Sequence, residues 1–209
     1  MQSIFVHGLG QLSSSWLPVL SHLPANIPAD CPDLTSLLAC QEITYPGLYQ
    51  AFSDYCDQQN SPLYLCGLSL GAVLSLNYTV EHPQKVKSLI LIAPQYKMPR
   101  LLLSFQNVIF RLLPKRFFQT MGFPKKEVLS LTRSMKTLDF TSSVSSISCP
   151  VLILCGSKDH ANQKAARTLA ALIPGSRFVL AESAGHELNL DTPEMLAAMI
   201  TDFWNLHQS

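Results

Sequence analysis

Residues 66–72 read Cys-Gly-Leu-Ser-Leu-Gly-Ala, and this stretch decides which fold the chain can adopt. The residues before it, 62–66, are apolar and predict a short buried strand, whereas residues 70–82 have the composition of a helix. Ser69 therefore stands at a strand-to-helix turn, between two glycines. A turn this tight leaves no room for side chains on either side of the serine, so it pushes the hydroxyl out above the sheet.

Ser69 has two interpretations. In the first, it is a nucleophile, and the first backbone amides of the following helix point at the group that it attacks. In the second, it caps the helix, and Gly67 and Gly71 serve only packing. The first interpretation explains more, because the spacing of glycine, serine and glycine coincides with a strand before it and a helix after it.

The composition suits one well-buried domain. The chain has 209 residues, of which 47% are hydrophobic and 14% are charged. The formal net charge is only +1, so we expect no nucleic-acid partner. The six cysteines lack metal-ligand spacing, and we expect neither a metal nor a cofactor. No apolar run is long enough to cross a bilayer and no secretory signal is visible, so we expect a cytoplasmic location.

Strand and helix patterns alternate along most of the chain. The predicted strands are residues 3–6, 26–34, 62–66, 86–92, 150–155 and 177–181. Helical patterns lie between them, which predicts a parallel α/β sheet of about six strands with helices on both faces. The second strand contains Pro28 and Pro32, so it belongs at an edge of the sheet.

Residues 95–148 interrupt this alternation. They predict two helices, over residues 99–111 and 124–136, with no strand between them. We therefore divide the chain into a single core, residues 1–94 and 149–209, and a small helical lid that is inserted into it.

Several polar or glycine-rich sites follow directly after predicted strands. They are Ser69, Asp159, His186 and the turn His7-Gly8-Leu9-Gly10. Open parallel sheets bind their ligands at the carboxyl ends of the strands, so we expect these residues to lie together at one edge of the sheet.

With this set of residues, the chain resembles the α/β-hydrolase superfamily, and in particular its lid-bearing serine esterases and lipases. The order serine, aspartate, histidine is the order of that fold. The resemblance covers nearly the whole chain and includes the Trp16 helix, residues 81–83 and residues 191–194. The chain departs from the pattern at residues 32–37 and at Ala72, where a glycine is frequent. Its first strand corresponds to the strand before the oxyanion hole, which implies a reduced fold with a smaller sheet.

The resemblance implies a catalytic triad. Ser69 would be the nucleophile, His186 the base that takes its proton, and Asp159 the residue that orients the imidazole. A loop histidine without a catalytic role is the alternative for His186. Glu182 and Glu187 are the alternative acids, but residues so near His186 along the chain would reach the imidazole poorly.

The resemblance also implies an oxyanion hole formed by the backbone N–H groups of Leu9 and Leu70. His7 would form a wall of this hole and contact the substrate. The glycines that shape the elbow and the loop are Gly8, Gly67 and Gly71.

The predicted lid is both apolar and basic. Residues 94–140 hold nine of the fifteen Lys and Arg residues, together with an apolar run from 101 to 113. One interpretation is a helix that packs on the core and has solvated basic ends. The other is a pocket for an apolar acyl group with a basic rim, in which Phe105 and Phe110 contact the substrate. Such a rim would suit an acyl ester, a thioester with an anionic carrier, or contact with a lipid surface.

These expectations combine into one predicted function. The chain would be a serine hydrolase that cleaves carboxylic esters or thioesters of small molecules through an acyl-enzyme intermediate. Peptidase, carbon–carbon hydrolase and perhydrolase activities are alternatives on the same fold. A ligand sensor that keeps the pocket is the alternative from a different class. The sequence leaves the oligomeric state open.

Overall fold

The structure is a computed structural model that describes residues 2–38, 43–59, 62–98 and 124–207. Within these residues, six strands form one sheet, and all neighbouring strands run parallel. The strands are β1 (Gln2–Val6), β2 (Ala29–Asp30), β3 (Leu63–Leu68), β4 (Val86–Ile92), β5 (Val151–Gly156) and β6 (Arg177–Ala181). Their order across the sheet is β2-β1-β3-β4-β5-β6. The prediction of a parallel sheet of about six strands is confirmed.

The described residues also form eight α-helices, which lie between or after the strands. They are α1 (Leu17–Leu20), α2 (Leu34–Leu37), α3 (Tyr45–Asp57), α4 (Leu70–Glu81), α5 (Lys125–Ser134), α6 (His160–Leu172), α7 (Leu188–Asp191) and α8 (Pro193–Leu206). Short 3-10 helices span Ser13–Trp16, Pro83–Lys85, Met135–Thr137 and Val144–Ser146. Pro193 opens α8 as predicted, because a proline at the first helical position gives up no intrahelical hydrogen bond.

Helices cover the sheet on both faces. On one face, Leu65 of β3 belongs to the same buried cluster as Phe52 of α3. On the other face, the ring of Phe5 in β1 packs edge-on against Trp16 and Trp204, at centroid distances of 5.2 and 5.6 Å. All five side chains are buried. Burial of a large apolar side chain contributes about 1.5–3 kcal/mol, so each layer is stabilised by its contact with the sheet.

The edge strand β2 is shorter than predicted. Only residues 29–30 pair with β1. Pro28 and Pro32 flank this pair and lack the N–H group that a sheet ladder needs. The ladder therefore does not extend over residues 26–34.

The described parts of the segment 95–148 include α5, close to the position that the sequence predicts. Leu131 of α5 is fully buried, so this helix packs on the core. The N–H of Phe140 donates a hydrogen bond to the carbonyl oxygen of Tyr96 at 2.8 Å, which joins the two ends of the segment at its base. The helix predicted over residues 99–111 lies outside the described residues.

Candidate active site

Ser69 lies at the turn between β3 and α4, in a backbone conformation that non-glycine residues rarely adopt. Its φ and ψ angles are 52° and −110°. A Cβ atom on Gly67 would come within 2.3 Å of the Gly71 carbonyl oxygen, and one on Gly71 within 2.1 Å of the Val6 carbonyl oxygen. Both positions therefore require glycine, because the turn packs closely against itself and against β1.

Backbone hydrogen bonds hold this turn on two sides. The N–H of Ser69 donates to the carbonyl oxygen of Ile92, at the end of β4, at 2.9 Å. The carbonyl oxygen of Ser69 accepts from the N–H of Val73 at 3.1 Å, which begins α4. The position of the serine is thus set by the backbone of the neighbouring strand and of the following helix.

Asp159 and His186 meet from two separate loops. Asp159 lies between β5 and α6, and His186 follows β6. Nδ1 of His186 lies 2.8 Å from Oδ2 of Asp159, which is a hydrogen-bond distance. The Asp159 side chain is 5% exposed and the His186 side chain is 42% exposed, so the carboxylate supports the imidazole from its buried side.

The surroundings of Asp159 favour its ionised form. Burial acts to raise the pKa of this carboxyl, but hydrogen bonds from His186 and Asn162 oppose that effect, and the pKa lies below its ordinary value. An ionised carboxylate at this position can fix the tautomer of an imidazole and stabilise its protonated form.

One cavity of about 410 Å³ is lined by Ser69, Asp159 and His186. Its apolar lining includes Leu9, Leu70, Val73, Met98 and Met135. The structure thus brings together, at the carboxyl ends of β3, β5 and β6, the three polar residues on which the predicted chemistry depends.

A comparison with protein families agrees with this geometry. A family model described as "Alpha/beta hydrolase family" matches residues 4–199. The chain belongs to the α/β-hydrolase family. The predictions of the family and of a hydrolytic enzyme are confirmed.

Individual relatives of this α/β-hydrolase are distant in sequence. Monoacylglycerol lipase ABHD6 of Homo sapiens is 22% identical over 250 residues, which cover 96% of this chain and 74% of the relative. Monoacylglycerol lipase abhd6-B of Xenopus laevis is also 22% identical, with 99% of this chain and 76% of the relative covered. A thermophilic esterase from Thermogutta terrifontis has a TM-score of 0.80 at 18% identity, and the match covers 100% of this chain and 91% of that one. NosK from Streptomyces actuosus has a TM-score of 0.82 at 20% identity, with 100% and 99% covered. The two structural matches show the fold.

Two amide side chains that the sequence reasoning missed adjoin Asp159 of this α/β-hydrolase. Nδ2 of Asn162 lies 2.9 Å from both carboxylate oxygens of Asp159. Nε2 of Gln95 donates to Oδ1 of Asn162 at 2.6 Å. Asn162 could have been found, because a residue three positions along a helix faces the same side. Gln95 left no such signal, since it comes from a distant part of the chain.

His7 lies behind the loop that follows β1. It is buried, its Nε2 accepts a hydrogen bond from the N–H of Leu34 at 3.1 Å, and its Nδ1–H donates to the carbonyl oxygen of Gly8 at 2.9 Å. Burial lowers the pKa of His7, although the Gly8 carbonyl and Asp33 act in the opposite direction. Both ring nitrogens of His7 thus form hydrogen bonds with backbone groups. Leu9 lines the described cavity, whereas His7 does not. The predicted contact of His7 with substrate therefore gives way to a role in holding this loop.

The loop after β1 contacts both the Ser69 turn and the loop that carries His186. A Cβ atom on Gly8 would lie 3.4 Å from Cβ of Ser69, so the two backbones approach closely here. The side chains of Gln11 and Asn189, both buried, exchange hydrogen bonds at 3.2 and 3.1 Å. Gln11 also donates to Glu187 at 2.8 Å. Glu187 is therefore engaged by this amide network, whereas Asp159 is the carboxylate that contacts His186.

Three further expectations concern the contacts of Phe105 and Phe110, a metal site and a membrane-spanning helix. Phe105 and Phe110 lie outside the described residues, and their contact with substrate stays a prediction. Within the described ranges, His, Cys, Asp and Glu side chains form no group of three or more that could hold a metal ion. In the same ranges, no helix is long and apolar enough to cross a membrane.

Proposed function

We propose that this α/β-hydrolase is a serine hydrolase that cleaves carboxylic esters or thioesters through an acyl-enzyme intermediate. Ser69 is the nucleophile, His186 the general base and Asp159 the residue that orients the base. The observation that carries the proposal is the hydrogen bond between His186 and Asp159, on the same cavity as the strained turn of Ser69.

The tautomer of His186 prepares the first step. When Nδ1 carries hydrogen and donates it to Asp159, Nε2 keeps a free lone pair. Nε2 takes the proton of the Ser69 hydroxyl while the oxygen attacks the carbonyl carbon of the substrate. The imidazolium then gives this proton to the leaving alcohol or thiol, and the acyl group remains on Ser69.

A water molecule completes the reaction. His186 takes a proton from the water, which attacks the acyl carbon, and the proton returns to Ser69 as the acid leaves. Backbone N–H groups of Leu9 and Leu70 stabilise the charge on the carbonyl oxygen. Leu70 suits this role because it is the first residue of α4, where an N–H has no partner within the helix. Loss of one such donor costs about 100- to 1000-fold in rate.

The cavity favours an apolar acyl group. Leu70, Val73, Met98 and Met135 give it an apolar lining next to Ser69. The two ABHD6 relatives are named monoacylglycerol lipases, which makes an ester of an apolar acyl chain the substrate class that we favour.

We also propose that residues 95–148 form a lid over this cavity. Met98, Thr132 and Met135 belong to this segment and line the cavity. A lid at this position would cover the acyl group and exclude water during the reaction. Contact of its basic residues with an anionic substrate or a membrane stays a prediction. A cytoplasmic location also stays one, supported by the unpaired thiols of the cysteines that the structure describes.

Labelling with a fluorophosphonate probe tests the nucleophile. We expect Ser69 to be the labelled residue, and Ser69→Ala to lose labelling and ester turnover while its circular dichroism spectrum stays that of the wild type. Ser75→Ala is the matched control, because Ser75 is a buried serine of α4, the helix that follows Ser69, and its hydroxyl has no hydrogen-bond partner among the described residues. Labelling that persists in Ser69→Ala would contradict the proposal. Labelling of Ser69 without turnover of any ester would favour the ligand sensor.

A series of p-nitrophenyl esters from acetyl to hexanoyl tests the substrate class. Each buried methylene contributes about 0.8 kcal/mol, or about fourfold in affinity. We therefore expect kcat/KM to rise with chain length until the cavity is full. Thioesters with the same acyl groups show whether sulfur is accepted as a leaving group. A series that declines from acetyl onward would leave small esters as the better substrate class.

A further inference from the structure

We propose that Asn162 is a positioning residue of this active site. Its amide fixes the carboxylate of Asp159 and thereby the orientation of the His186 imidazole, and Gln95 in turn fixes the amide. This inference rests on the proposed function, because it concerns the group that orients the general base.

Asn162 contacts both oxygens of the carboxylate. Its Nδ2 lies 2.9 Å from Oδ1 and 2.9 Å from Oδ2 of Asp159. Nδ1 of His186 approaches only Oδ2, at 2.8 Å. A carboxylate with one hydrogen bond can rotate about its bond to Cβ, whereas donors to both oxygens hold it in one orientation. The amide therefore holds the carboxylate in the orientation in which Oδ2 faces the imidazole.

The orientation of the amide follows from its two partners. A carboxylate only accepts hydrogen bonds, so the NH₂ group of Asn162 must face Asp159. At the opposite end, Oδ1 of Asn162 accepts a hydrogen bond from Nε2 of Gln95 at 2.6 Å. An amide turned by half a rotation would set oxygen against the carboxylate and NH₂ against NH₂. Gln95, which lies after β4, therefore holds the amide in its supporting orientation.

The amide also borders the imidazole. Nδ2 of Asn162 lies 3.2 Å from Nδ1 of His186. When Nδ1 carries the hydrogen that it donates to Asp159, it has no lone pair for the amide. The contact is then between two donors that share one carboxylate, and it limits the position of the imidazole ring on that side.

A second donor on the carboxylate changes how strongly the carboxylate attracts the imidazolium. Hydrogen bonds to an ionised group are stronger than neutral ones, and they draw charge away from the oxygens. Without the amide, Asp159 would attract the imidazolium of His186 more strongly. Asn162 therefore moderates the attraction between the carboxylate and the imidazolium.

The titratable groups around Asp159 come from several elements. His186 faces it from the loop after β6. Sγ of Cys155, on β5, lies 3.9 Å from the Asp159 carbonyl oxygen. Burial first, and the charge of Asp159 second, raise the pKa of the Cys155 thiol to about 12, so the thiol is neutral. Charged or titratable residues that adjoin the pair along the chain are Lys158, His160 and Glu187, all of them exposed.

The test is the pH profile of kcat/KM on p-nitrophenyl butanoate between about pH 5 and about pH 9. In Asn162→Ala we expect kcat to fall about tenfold with little change in KM, as for the loss of one hydrogen bond to a charged group. The acid limb, which is the fall of kcat/KM at low pH, should move to higher pH. Asn162→Asp keeps the shape of the side chain but replaces the donor with a second carboxylate. Its acid limb should move further in the same direction.

Gln163→Ala is the matched control. Gln163 is the next residue of α6, and its amide donates to the carbonyl oxygens of Gly156 and Ser157 at 3.2 and 2.9 Å. It supports the backbone of the same loop, so its removal should lower the melting temperature and leave the acid limb in place. Gln95→Ala should move the limb in the same direction as Asn162→Ala, but by less, because the amide remains.

The outcomes separate this inference from the proposed function. If ester turnover persists in Ser69→Ala, the proposed function is wrong. If turnover requires Ser69, the pH profiles decide on Asn162 alone. An acid limb that stays in place in both Asn162 variants, or moves equally in Gln163→Ala, would overturn the positioning role. Should Asn162→Ala fail to fold, Asn162→Asp and Gln95→Ala provide the same test.

Discussion

The turn that carries Ser69 and the loop that carries Asp159 lie at the same edge of the sheet, but different forces hold their functional atoms. At the turn, a Cβ atom on Gly71 would come within 2.1 Å of a carbonyl oxygen of β1, and backbone hydrogen bonds fix the serine. At the loop, side chains hold the carboxylate, through hydrogen bonds from Asn162 and His186.

The contrast concerns the reacting groups rather than the whole loops. The base of the Asp159 loop is also closely packed, because a Cβ atom on Gly156 would come within 2.1 Å of the Gly185 carbonyl oxygen. Beyond that point, the orientation of the carboxylate depends on partners that carry charge or donate hydrogen. A steric restraint is independent of pH and fails when an atom is added, whereas a hydrogen-bonded restraint tolerates changes of size but responds to charge.

We expect the largest effect from Gly71→Ala. The added Cβ would overlap the carbonyl oxygen of Val6, so β1 and α4 would have to separate. The variant should lose its cooperative thermal transition or fail to accumulate as folded protein. Gly175→Ala is the control, because no atom of the described residues lies within 4 Å of the added Cβ, although the φ angle of 73° is strained for alanine. It should lose only about 1–2 kcal/mol. A Gly71→Ala variant as stable as Gly175→Ala would show that the turn can relax.

Asp159→Asn should have the next largest effect, and it should affect rate rather than folding. The amide keeps the size of the side chain but removes the charge that supports the imidazolium of His186. We expect kcat on p-nitrophenyl butanoate to fall by about 10³- to 10⁴-fold, with the melting temperature lowered by only a few degrees. Glu182→Gln, an exposed charge loss near His186 along the chain, should leave kcat unchanged. If Glu182→Gln loses activity and Asp159→Asn keeps it, Asp159 is not the acid that orients His186.

The same contrast explains which parts of the site can be predicted from the sequence. The steric demands of the Ser69 turn require Gly67 and Gly71, and a glycine requirement is visible in the sequence. Gln95 was missed because its hydrogen bond to Asn162 joins residues 67 positions apart, and a single pair of amides produces no periodic pattern. Asn162 itself lies three positions after Asp159 on the same helix face, so its spacing could have indicated it. His7 was assigned to the substrate, because the sequence does not show that the N–H of Leu34 meets its ring.

The fold was easier to predict than the site because burial repeats along the chain. The apolar runs that form β3, β4 and β5 have buried side chains at nearly every position, and they stand out from the helices between them. The edge strand β2 has only two residues, and no pattern that short separates a strand from a loop. Proline next to the pair sets its length, but from the sequence alone proline indicates only that a strand is at an edge.

The smallest effect concerns the stability that Asp159 contributes as the pH changes. Its pKa in the folded protein lies below that of an unfolded aspartate, about 3.9, so the folded state favours the ionised form. This contribution is complete above the unfolded pKa and is lost as the pH falls through the lowered folded pKa. The difference in melting temperature between wild type and Asp159→Asn should therefore be constant near neutral pH. Below about pH 4, the melting temperature of the wild type should fall relative to that of Asp159→Asn.

The measurement is a series of thermal melts of both proteins across this pH range, with Gly175→Ala as the reference. A change of about 1 kcal/mol corresponds to about 2–4 °C for a chain of this size, which calorimetry resolves. The cost of Gly175→Ala is steric, so its difference from the wild type should stay the same at every pH. If the Asp159→Asn difference is equally constant, the carboxylate is held by packing, as the Ser69 turn is, and the contrast between the two regions does not exist.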